Sequence, residues 1–570
     1  PRRFGKSLTL SALDAFFSGR VELFTGLAVE SYMCSPAFVY HPVIRVDMSA
    51  GTLGNTIADL SENVMNRLQK NAERHNVSLR GSYFVNSFHS LIMDVKKCTG
   101  QKIVLLIDEY DAPVIDAITS SKEIFTPGLL AARRDAMQDF YLVIKLNEEM
   151  IEMAFITGIT KFSRMGVFSK LNNLNDISLS SDYSTFMGYT QEELEIYFEP
   201  FIALTADKLK IEKHELLNKI KNRYDGFSFD GIHTLYNPFS ILNFFKKVRF
   251  SNFWMESGSN AVIRNFLKDK VLTVDQFQGM DFSYDSASTP GEIDATSSEG
   301  FLYQSGYLTL KYIDDENFVL EYPNLEVRES ISKLFLETLG TDLKDINYAA
   351  KELSRCLASV DISGMVRELV RLLASIHYKD HLDGVSSTEI KIVKTIDGKV
   401  TGTDLIKVPL QQLPSEQANK LESSKGEYYY RSLLHACFWM AGAKVTAEKG
   451  GNLRNLDLEV CYGSLNYVFE LKMSENARGA VAAAKRGMGQ IHSRGYGLSM
   501  KNPILISISI GRSERNIVCC LFKKNGGEAC FTVEYGGDNA PSLSHVEIGA
   551  LPPEDVAGIG ALPSDDAEKQ

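Results

Sequence analysis

The sequence predicts an α/β protein whose first part is an open, doubly wound parallel sheet, and three observations lead to this prediction. Five consecutive aliphatic residues, Ile103–Ile107, run directly into the acidic pair Asp108 and Glu109. A continuous aliphatic run without polar alternation is typical of a strand that is buried on both faces. Gly5-Lys6-Ser7 precedes a run with helical spacing. Strands then alternate with helices over the first part of the chain, which is the pattern of doubly wound sheets.

Composition limits the class of protein. The chain has 570 residues, 44% of them apolar and 23% charged, as in ordinary globular proteins. Such a length corresponds to roughly three or four domains.

The sequence contains no run of about 18 apolar residues, so we predict a cytoplasmic protein without a membrane span. The opening PRRFGKS lacks an initiator Met and a signal peptide, so we expect an N-terminally truncated product. We interpret the eight cysteines as buried, reduced thiols.

The tripeptide Gly5-Lys6-Ser7 is the second half of a phosphate-binding loop. Gly5 lets the backbone approach phosphate oxygens, and the N-terminus of the following helix directs N–H groups at them. Lys6 is then expected to reach the β- and γ-phosphates, and Ser7 to ligate Mg²⁺. The full pattern has another Gly five positions before Gly5, which lies outside this sequence.

Asp108 and Glu109 follow the predicted buried strand, where open α/β sheets bind their ligands. This arrangement predicts a Walker B motif, with Asp108 on the water shell of Mg²⁺ and Glu109 polarising the attacking water. The alternative is a core strand that ends in a solvated acidic turn. At the end of a later strand, Thr157 or Thr160 could sense the γ-phosphate, with ordinary strand-end chemistry as the alternative.

The remaining helices and strands are predicted from the spacing of apolar residues along the chain. Strands are predicted over 41–49 and 153–160, and helices over 55–69 and 129–146. The middle region is mostly helical, with a short β element over 299–312 and 318–322 after a polar loop. The predicted domains are an ATPase-type core (1–190), a helical lid or accessory region (191–380), a linker or insertion with a small hairpin (381–424), a second α/β domain (425–535) and a disordered acidic tail (536–570).

A family resemblance covers most of the chain in order. The segments that carry it are RRFGKSL, VIRVDMS, IVLLIDEYDAP, FITGITKFS, YDGFSF, YNPFSIL, FLYQSGYLTL and PNLEVR. They resemble the bacterial AAA-ATPase-like family, which has a P-loop ATPase domain and usually a C-terminal nuclease-like domain of the PD-(D/E)XK superfamily. The resemblance implies ATP and Mg²⁺ as cofactors and includes Arg3 in the nucleotide-binding loop. An arginine finger could be Arg2, Arg3 or Arg164. The YDG and YNP segments are interpreted as aromatic packing and turns.

A second set of residues lies near the C-terminus. A helix that opens at Gly426, a strand pair, a helix over 475–493 and two apolar strands (503–510 and 516–522) follow one another, which is the element order of the PD-(D/E)XK core. Asp457 precedes Glu470 by thirteen residues.

Glu470-Leu471-Lys472 supplies the E-x-K pattern, and positions i and i+2 of a strand share a face. Asp457 and Glu470 could therefore hold Mg²⁺ while Lys472 orients the attacking water. By resemblance, Glu427 and Gln490 match further site positions of the superfamily. The alternative is a simple ion pair on a strand.

Charge supports a phosphate-binding role for the second domain. Residues 425–524 contain fifteen Lys and Arg against seven Asp and Glu, on a chain whose net charge is −11. We therefore predict an ATP-binding protein with ATPase activity that is coupled to a Mg²⁺-dependent nuclease-type domain acting on DNA or RNA. We hypothesise that the ATP state gates cleavage. The alternative is an ATP-driven regulatory switch whose nuclease-like domain only binds nucleic acid or a partner. A homo-oligomer is possible, and no membrane contact is expected.

Overall fold

The computed structural model describes the chain in two compact units, each considered by itself below. The first comprises the described residues up to Arg328, and the second those from Glu329 onward. The described residues are 1–49, 56–119, 127–159, 174–254, 277–284, 298–314, 317–339, 341–376, 387–396, 399–409, 415–447, 457–475, 477–496, 500–524, 527–534 and 542–546. Within these ranges, no helix combines the length and the apolarity needed to cross a bilayer.

A three-stranded parallel sheet forms the centre of the first unit. Its strands, in spatial order, are β1 (Val43–Asp47), β2 (Ile103–Asp108) and β3 (Ile151–Ile156). Every residue of β2 is buried, as the continuous aliphatic run predicts. Asp47 pairs in register with Asp108, so two carboxylates lie side by side at the carboxyl edge of the sheet.

Helices cover both faces of this sheet, which confirms the predicted mixed α/β architecture with a parallel sheet. Leu10 of α1 (Lys6–Phe17) packs on Val104 and Leu106 of β2. The opposite face of β2 packs against three helices, α3 (Ile57–Arg74), α4 (Phe84–Thr99) and α6 (Pro127–Leu146). The short helices α2 (Glu30–Met33) and α5 (Ala112–Thr119) complete this part.

The rest of the first unit is a helical region with a small antiparallel sheet. Its helices are α7 (Gln191–Tyr197), α8 (Glu199–Leu209), α9 (Lys213–Tyr224), α10 (Pro238–Lys247) and α11 (Ser298–Ser305). The strand order is β4-β6-β5, for β4 (Met280–Ser283), β5 (Thr309–Tyr312) and β6 (Asn317–Glu321). The β element predicted over 299–312 is therefore wrong in its first half, where α11 forms. Glu299 lies in the first turn of α11, a position that the helix dipole favours for a carboxylate.

The second unit is built on a seven-stranded sheet. The unit begins within helix α12 (Leu325–Thr338). The next elements along the chain are α13 (Leu343–Ser359), α14 (Ile362–Ala374), the hairpin of β7 (Ser387–Ile396) and β8 (Lys399–Pro409), and α15 (Ser415–Met440). Then come β9 (Lys444–Ala447), β10 (Leu458–Tyr462), β11 (Leu465–Ser474), α16 (Ala477–Arg494), β12 (Ile504–Gly511), β13 (Asn516–Lys524), β14 (Gly527–Glu534) and β15 (Ser542–Val546). The strands follow sequence order across the sheet, and only β11 and β12 pair in parallel.

Helix α16 connects the two parallel strands of this sheet. Its residues Ala484 and Met488 pack against Val468 of β11 on one face of the sheet. The neighbouring residue Phe469 meets Phe438 of α15, with ring centroids 4.9 Å apart. Because side chains alternate along a strand, Glu470 and Lys472 lie on the same side of β11 as Val468.

Three features differ from the sequence predictions. Helix α15 begins at Ser415 rather than at Gly426, because the intervening residues include good helix formers and one Gly costs a helix only about 1 kcal/mol. Strand β15 lies in the range predicted to be a disordered tail and pairs with β14. Cys34 and Cys98 are exposed, so the prediction of buried thiols is wrong for these two, which lie at helix ends.

Candidate functional site

The first candidate site begins at the turn that precedes α1. Gly5 is the N-cap residue of α1 and has a φ of 93°, a left-handed conformation that glycine adopts without steric cost. Arg3 also has a positive φ, of 63°. Lys6 is the first residue of the helix, and Ser7, which follows it, is exposed. A left-handed glycine directly before the first helical residue is compatible with the predicted phosphate-binding loop, whose role stays a prediction.

Lys6 interacts electrostatically with the acidic residues at the end of β2. Burial lowers the pKa of the Lys6 ammonium, and Asp111, Glu109 and Asp108 oppose this effect. The Lys6 Nζ atom donates a hydrogen bond to the Pro1 carbonyl oxygen at 2.6 Å. The sequence-predicted lysine and the sequence-predicted acidic pair thus occupy one site, at the carboxyl edge of a parallel sheet.

Asp108 is held by its neighbours. It is only 2% exposed, and its Oδ1 atom accepts hydrogen bonds from the Thr157 hydroxyl at 2.7 Å and from the Glu109 N–H at 3.1 Å. Thr157 follows β3, so the ends of two adjacent strands meet at this carboxylate. Thr160 and Arg164 lie outside the described residues.

Glu109 has a strained backbone. Its φ of 47° places a non-glycine residue in the left-handed region, which costs roughly 1–2 kcal/mol. Such strain is characteristic of functional sites, where the surrounding structure compensates for it. Burial raises the pKa of Glu109, and Asp111 and Asp108 add to the rise. A carboxyl with a raised pKa beside two further carboxylates is suited to proton transfer.

Asp111 is a site residue that the sequence predictions missed. It is 1% exposed, and its carboxylate accepts the Ile159 N–H at 3.0 Å. A Cβ atom on Gly158 would lie 2.6 Å from Asp111 Oδ1, so glycine is needed for this close approach. The signal was available, because Asp111 is the third acid of the segment DEYD.

The segment before α1 also packs against the YDGFSF segment. The Phe4 ring makes edge-to-face contacts with Phe227 and Phe229, at centroid distances of 5.0 and 5.5 Å. Gly226 has a φ of 105°, and a Cβ atom there would overlap the Pro323 carbonyl oxygen at 2.0 Å. The glycine of YDG is thus required by both its backbone conformation and its packing.

The YNP segment holds the same loop through its polar groups. Asn237 donates to the Arg2 carbonyl oxygen at 3.3 Å and accepts the Ser240 N–H at the start of α10. The Arg3 guanidinium lies 3.6 Å from the centroid of the Phe239 ring and donates to the Phe253 carbonyl oxygen at 3.0 Å. Both segments were interpreted as packing and turns only. The structure shows that they support the loop that contains Lys6.

The second candidate site lies on β11. Lys472 Nζ donates to Glu470 Oε1 at 2.8 Å. Asp457 stands immediately before β10, and its Oδ2 atom accepts the Leu471 N–H at 2.7 Å. Glu427 of α15 accepts the Met473 N–H at 3.3 Å. The four charged residues named from the sequence therefore converge on one stretch of β11.

The two central carboxyl groups have raised pKa values. Burial raises the pKa of Glu470 to about 7, with Asp457 adding to the rise and Lys472 and Arg494 opposing it. Burial likewise raises the pKa of Asp457, against the effects of the Leu471 N–H, Lys472, Arg431 and Arg494. Glu470 is 1% exposed, and its Oε2 atom is buried without a hydrogen-bond partner among the described atoms. A buried carboxylate pair with an unsatisfied oxygen fits a cation.

Helix α16 approaches this cluster closely. A Cβ atom on Gly487 would lie 2.2 Å from Ser507 Oγ and 3.3 Å from Lys472 Cγ. Ser507 pairs in register with Glu470. Gln490 follows three residues later on the same helix, where its carbonyl oxygen accepts the Ser493 hydroxyl.

Among the described residues, no group of three or more His, Cys, Asp or Glu is arranged to hold a metal ion. Mg²⁺ commonly binds through one or two carboxylates together with water and phosphate oxygens. The pairs predicted from the sequence, Ser7 with Asp108 and Asp457 with Glu470, are oxygen donors of this kind, and their assignment stays a prediction.

Comparison with known proteins gives a family match over the part of the chain that contains the first candidate site. Residues 1–168 match the family model of a predicted AAA-ATPase, the AAA-ATPase-like family. The chain is also similar to an uncharacterized protein in the vnfD 5′ region of Azotobacter chroococcum mcd 1, with 26% identity over 527 residues that cover 91% of this chain and 90% of the relative. No solved structure matches the chain significantly.

Proposed function

We propose that the first unit binds ATP together with Mg²⁺ and hydrolyses it. The observation that carries this proposal is the position of Lys6, at the start of a helix and facing Asp108 and Glu109. The match of residues 1–168 to a predicted AAA-ATPase supports the same class of activity.

The residues divide into distinct roles. Lys6 and the N-terminal N–H groups of α1 would bind phosphate oxygens, with Arg3 fixing the loop. Ser7 and Asp108 would hold Mg²⁺, which neutralises phosphate charge when bound. Glu109 would orient the attacking water and accept its proton, and the Thr157 hydroxyl keeps the Asp108 carboxylate in place. This division follows that of other P-loop ATPases.

For the second unit we propose a phosphodiesterase of the nuclease type. The supporting observation is the buried Glu470 carboxylate, which has Asp457 as a neighbour, Lys472 on one oxygen and, among the described residues, no hydrogen-bond partner on the other. Asp457 and Glu470 would hold Mg²⁺, an ion that stabilises charge on a scissile phosphate. Lys472 would orient the attacking water, and Glu427 and Gln490 would support the cluster. A nucleic-acid substrate is consistent with the net positive charge of residues 425–524.

One assay with matched variants tests both parts. The full chain is incubated with linear DNA, circular DNA or RNA, in Mg²⁺ or Mn²⁺, with and without ATP. Glu470→Ala should abolish cleavage, and Lys6→Ala should abolish ATP hydrolysis. Glu459→Ala, which changes a carboxylate of β10 paired with Val468, is the control.

The outcomes separate the two candidate functions. Cleavage that is lost in both Glu470→Ala and Lys6→Ala would make ATP the switch of the nuclease. Cleavage that ignores ATP and Lys6→Ala would rule out gating. The second candidate is an ATP-driven switch whose C-terminal domain only binds, and the Lys472–Glu470 ion pair favours it, because the ammonium occupies one carboxylate oxygen. Nucleic-acid binding without cleavage under either ion, with ATP hydrolysis intact, would establish that candidate.

A further inference from the structure

A basic cavity lies in the first unit between β1 and α3. Its volume is about 490 Å³, within the range of ordinary small-molecule sites. The lining residues are Arg45, Asp47, Asn63, Asn66, Arg67, Lys70, Asn71 and Arg74. Four cationic side chains therefore face one carboxylate, on a chain whose net charge is −11. None of the residues assigned above to ATP or to the C-terminal cluster lines it.

Two of the arginines are held in position by α1. Arg45 Nη1 donates to the Ser11 hydroxyl at 2.8 Å, and the Arg74 guanidinium donates to both oxygens of Asp14, at 2.6 and 3.1 Å. A guanidinium that is already oriented loses less conformational entropy when it binds a ligand. This side of the cavity is therefore preorganised.

Asn71 fixes the floor of the cavity. Its amide group donates to the Arg45 carbonyl oxygen at 2.8 Å and accepts the Arg45 N–H at 3.0 Å. The helix is thereby joined to β1 at one residue. Because Asn71 and Arg67 lie four positions apart on α3, Arg67 is presented on the same helix face.

The remaining cations of the cavity, Arg67 and Lys70, lie on α3. Burial lowers the pKa of Arg67, and Asp47 opposes this effect. Lys70 is exposed on the following turn of α3. Among the residues that line the cavity, four are cationic and one, Asp47, is acidic, so the lining carries a net positive charge. Guanidinium groups match phosphate oxygens bidentately, and Asn amides add neutral donors.

We propose that this cavity binds the phosphoryl group of an anionic ligand. The group can belong to a free nucleotide or oligophosphate, or to the backbone of a nucleic acid. The cavity is lined by other residues than the site that contains Lys6, but it adjoins that site, because Arg45 Nη2 donates to the Ser7 carbonyl oxygen at 3.4 Å. Binding there does not depend on hydrolysis of ATP or on cleavage of nucleic acid.

The experiment is an equilibrium binding titration of the full chain. All proteins carry Lys6→Ala, so that phosphate binding at the α1 loop does not contribute. The cavity variant is Arg67→Gln/Lys70→Gln, which keeps helix propensity nearly constant. The control is Lys97→Gln/Lys208→Gln, which removes two charges from exposed positions of α4 and α8. One arm uses labelled inorganic triphosphate and ATP, and the other uses a labelled 20-nucleotide DNA at several salt concentrations.

In the arm whose probe resembles the natural ligand, the cavity variant should bind about tenfold more weakly than the parent, as expected for the loss of two phosphate contacts. The control should bind like the parent. If the ligand is a nucleic acid, the slope of log K against log salt should fall by about two units in the oligonucleotide arm alone. A loss confined to triphosphate and ATP would assign a free ligand. The single variant Lys70→Gln changes only an exposed position, so weaker binding by this variant would not be explained by misfolding. Equal binding of every probe by the cavity variant and the control would overturn the proposal.

Discussion

The Arg3 guanidinium lies over the face of the Phe239 ring, 3.6 Å from its centroid. The two residues lie far apart in the sequence of the first unit, and their contact joins the loop before α1 to the start of α10. A cation at this distance is attracted by the ring, by about 0.5–2 kcal/mol. The shape of the loop around Lys6 therefore depends on an aromatic ring at the start of α10.

Phe239→Leu should weaken ATP binding by up to about tenfold, because without the ring the Arg3 loop is less preorganised for the ligand. Leucine keeps most of the apolar volume, so the unfolding free energy should fall by no more than the roughly 0.5–2 kcal/mol of the lost cation–π contact. Equilibrium binding of a labelled nucleotide measures the effect. Phe201→Leu, at a half-exposed position of α8, is the control. Equal affinities in the two variants would show that Arg3 is positioned without the ring.

Lys6→Ala and Glu109→Gln should separate binding from hydrolysis. Lys6→Ala removes the cation that faces the acidic group, so nucleotide binding itself should be lost. Glu109→Gln keeps the size of the side chain but removes the proton acceptor, so phosphate release should fall at least about 100-fold while ATP still binds. Glu62→Gln, at an exposed position of α3, is the matched control. Hydrolysis that survives in Glu109→Gln would remove Glu109 from the proposed mechanism.

Glu326 should make the stability of the first unit depend on pH. Its carboxylate accepts hydrogen bonds from the Ser240 hydroxyl at 2.8 Å and the Trp254 N–H at 2.9 Å, and burial raises its pKa from the ordinary 4.5 to about 7. Between these values the folded protein binds more protons than the unfolded chain. The contribution of Glu326 to the unfolding free energy therefore falls as pH rises through this window.

Glu326→Gln removes that titration. Its amide oxygen can still accept the Trp254 backbone N–H, while its NH2 group can donate to Ser240 Oγ. The variant should be more stable than the parent at pH 8, by up to about 3 kcal/mol, and the difference should shrink toward pH 4.5. Denaturant unfolding of both proteins at several pH values measures this. A constant offset at all pH values would mean that Glu326 does not titrate in the window.

Gly487→Ala should disturb the second site, whereas Gly489→Ala should not. The new Cβ atom at position 487 would lie 2.2 Å from Ser507 Oγ, so we expect a loss of about 1–3 kcal/mol from overpacking. At position 489 nothing lies within 4 Å, and alanine should stabilise α16 by about 0.5–1 kcal/mol. Thermal unfolding of the two variants provides the comparison. Gly487→Ala combined with Ser507→Ala should recover part of the loss, and failure to do so would place the strain elsewhere.

Mn²⁺ should stabilise the second unit through Asp457 and Glu470. Both carboxyl groups have raised pKa values through burial, so a bound cation would offset the cost of keeping them charged. Addition of Mn²⁺ should raise the unfolding temperature of the parent, and EDTA should reverse the rise. Glu470→Gln should abolish this response, and Glu459→Gln should retain it. An identical response in Glu470→Gln would place the ion at another site.

Local patterns in the sequence predicted the parts of the fold that depend on local physics. Strand β2 was recognisable because burial on both faces demands an unbroken aliphatic run, which Ile103–Ile107 supplies. Helix α6 was predicted to within two residues at its start, because its apolar residues recur at helical spacing. The start of α15 was not predicted, since Gly426 resembles a boundary and yet is tolerated within a helix.

Contacts between distant segments account for what the sequence could not show. Asn237 and Phe239 each look like ordinary turn and packing residues, and only the folded chain brings them to Arg2 and Arg3. Lys6, Asp108 and Glu109 could be named because a phosphate loop and an acidic strand end have recognisable motifs. The grouping of Arg67 and Lys70 with Arg45 required the packing of α3 on β1, which no local pattern encodes.

The amide group of Asn71 has a consequence for the behaviour of the chain in concentrated solution. Strand β1 is at one end of the described order β1-β2-β3, a position where free backbone groups could recruit a strand from another molecule. A carboxamide is chemically a peptide group, and that of Asn71 occupies both the N–H and the carbonyl oxygen of Arg45. A strand from a second chain would first have to displace this side chain. The same residue that shapes the cavity therefore protects the sheet against edge-to-edge aggregation.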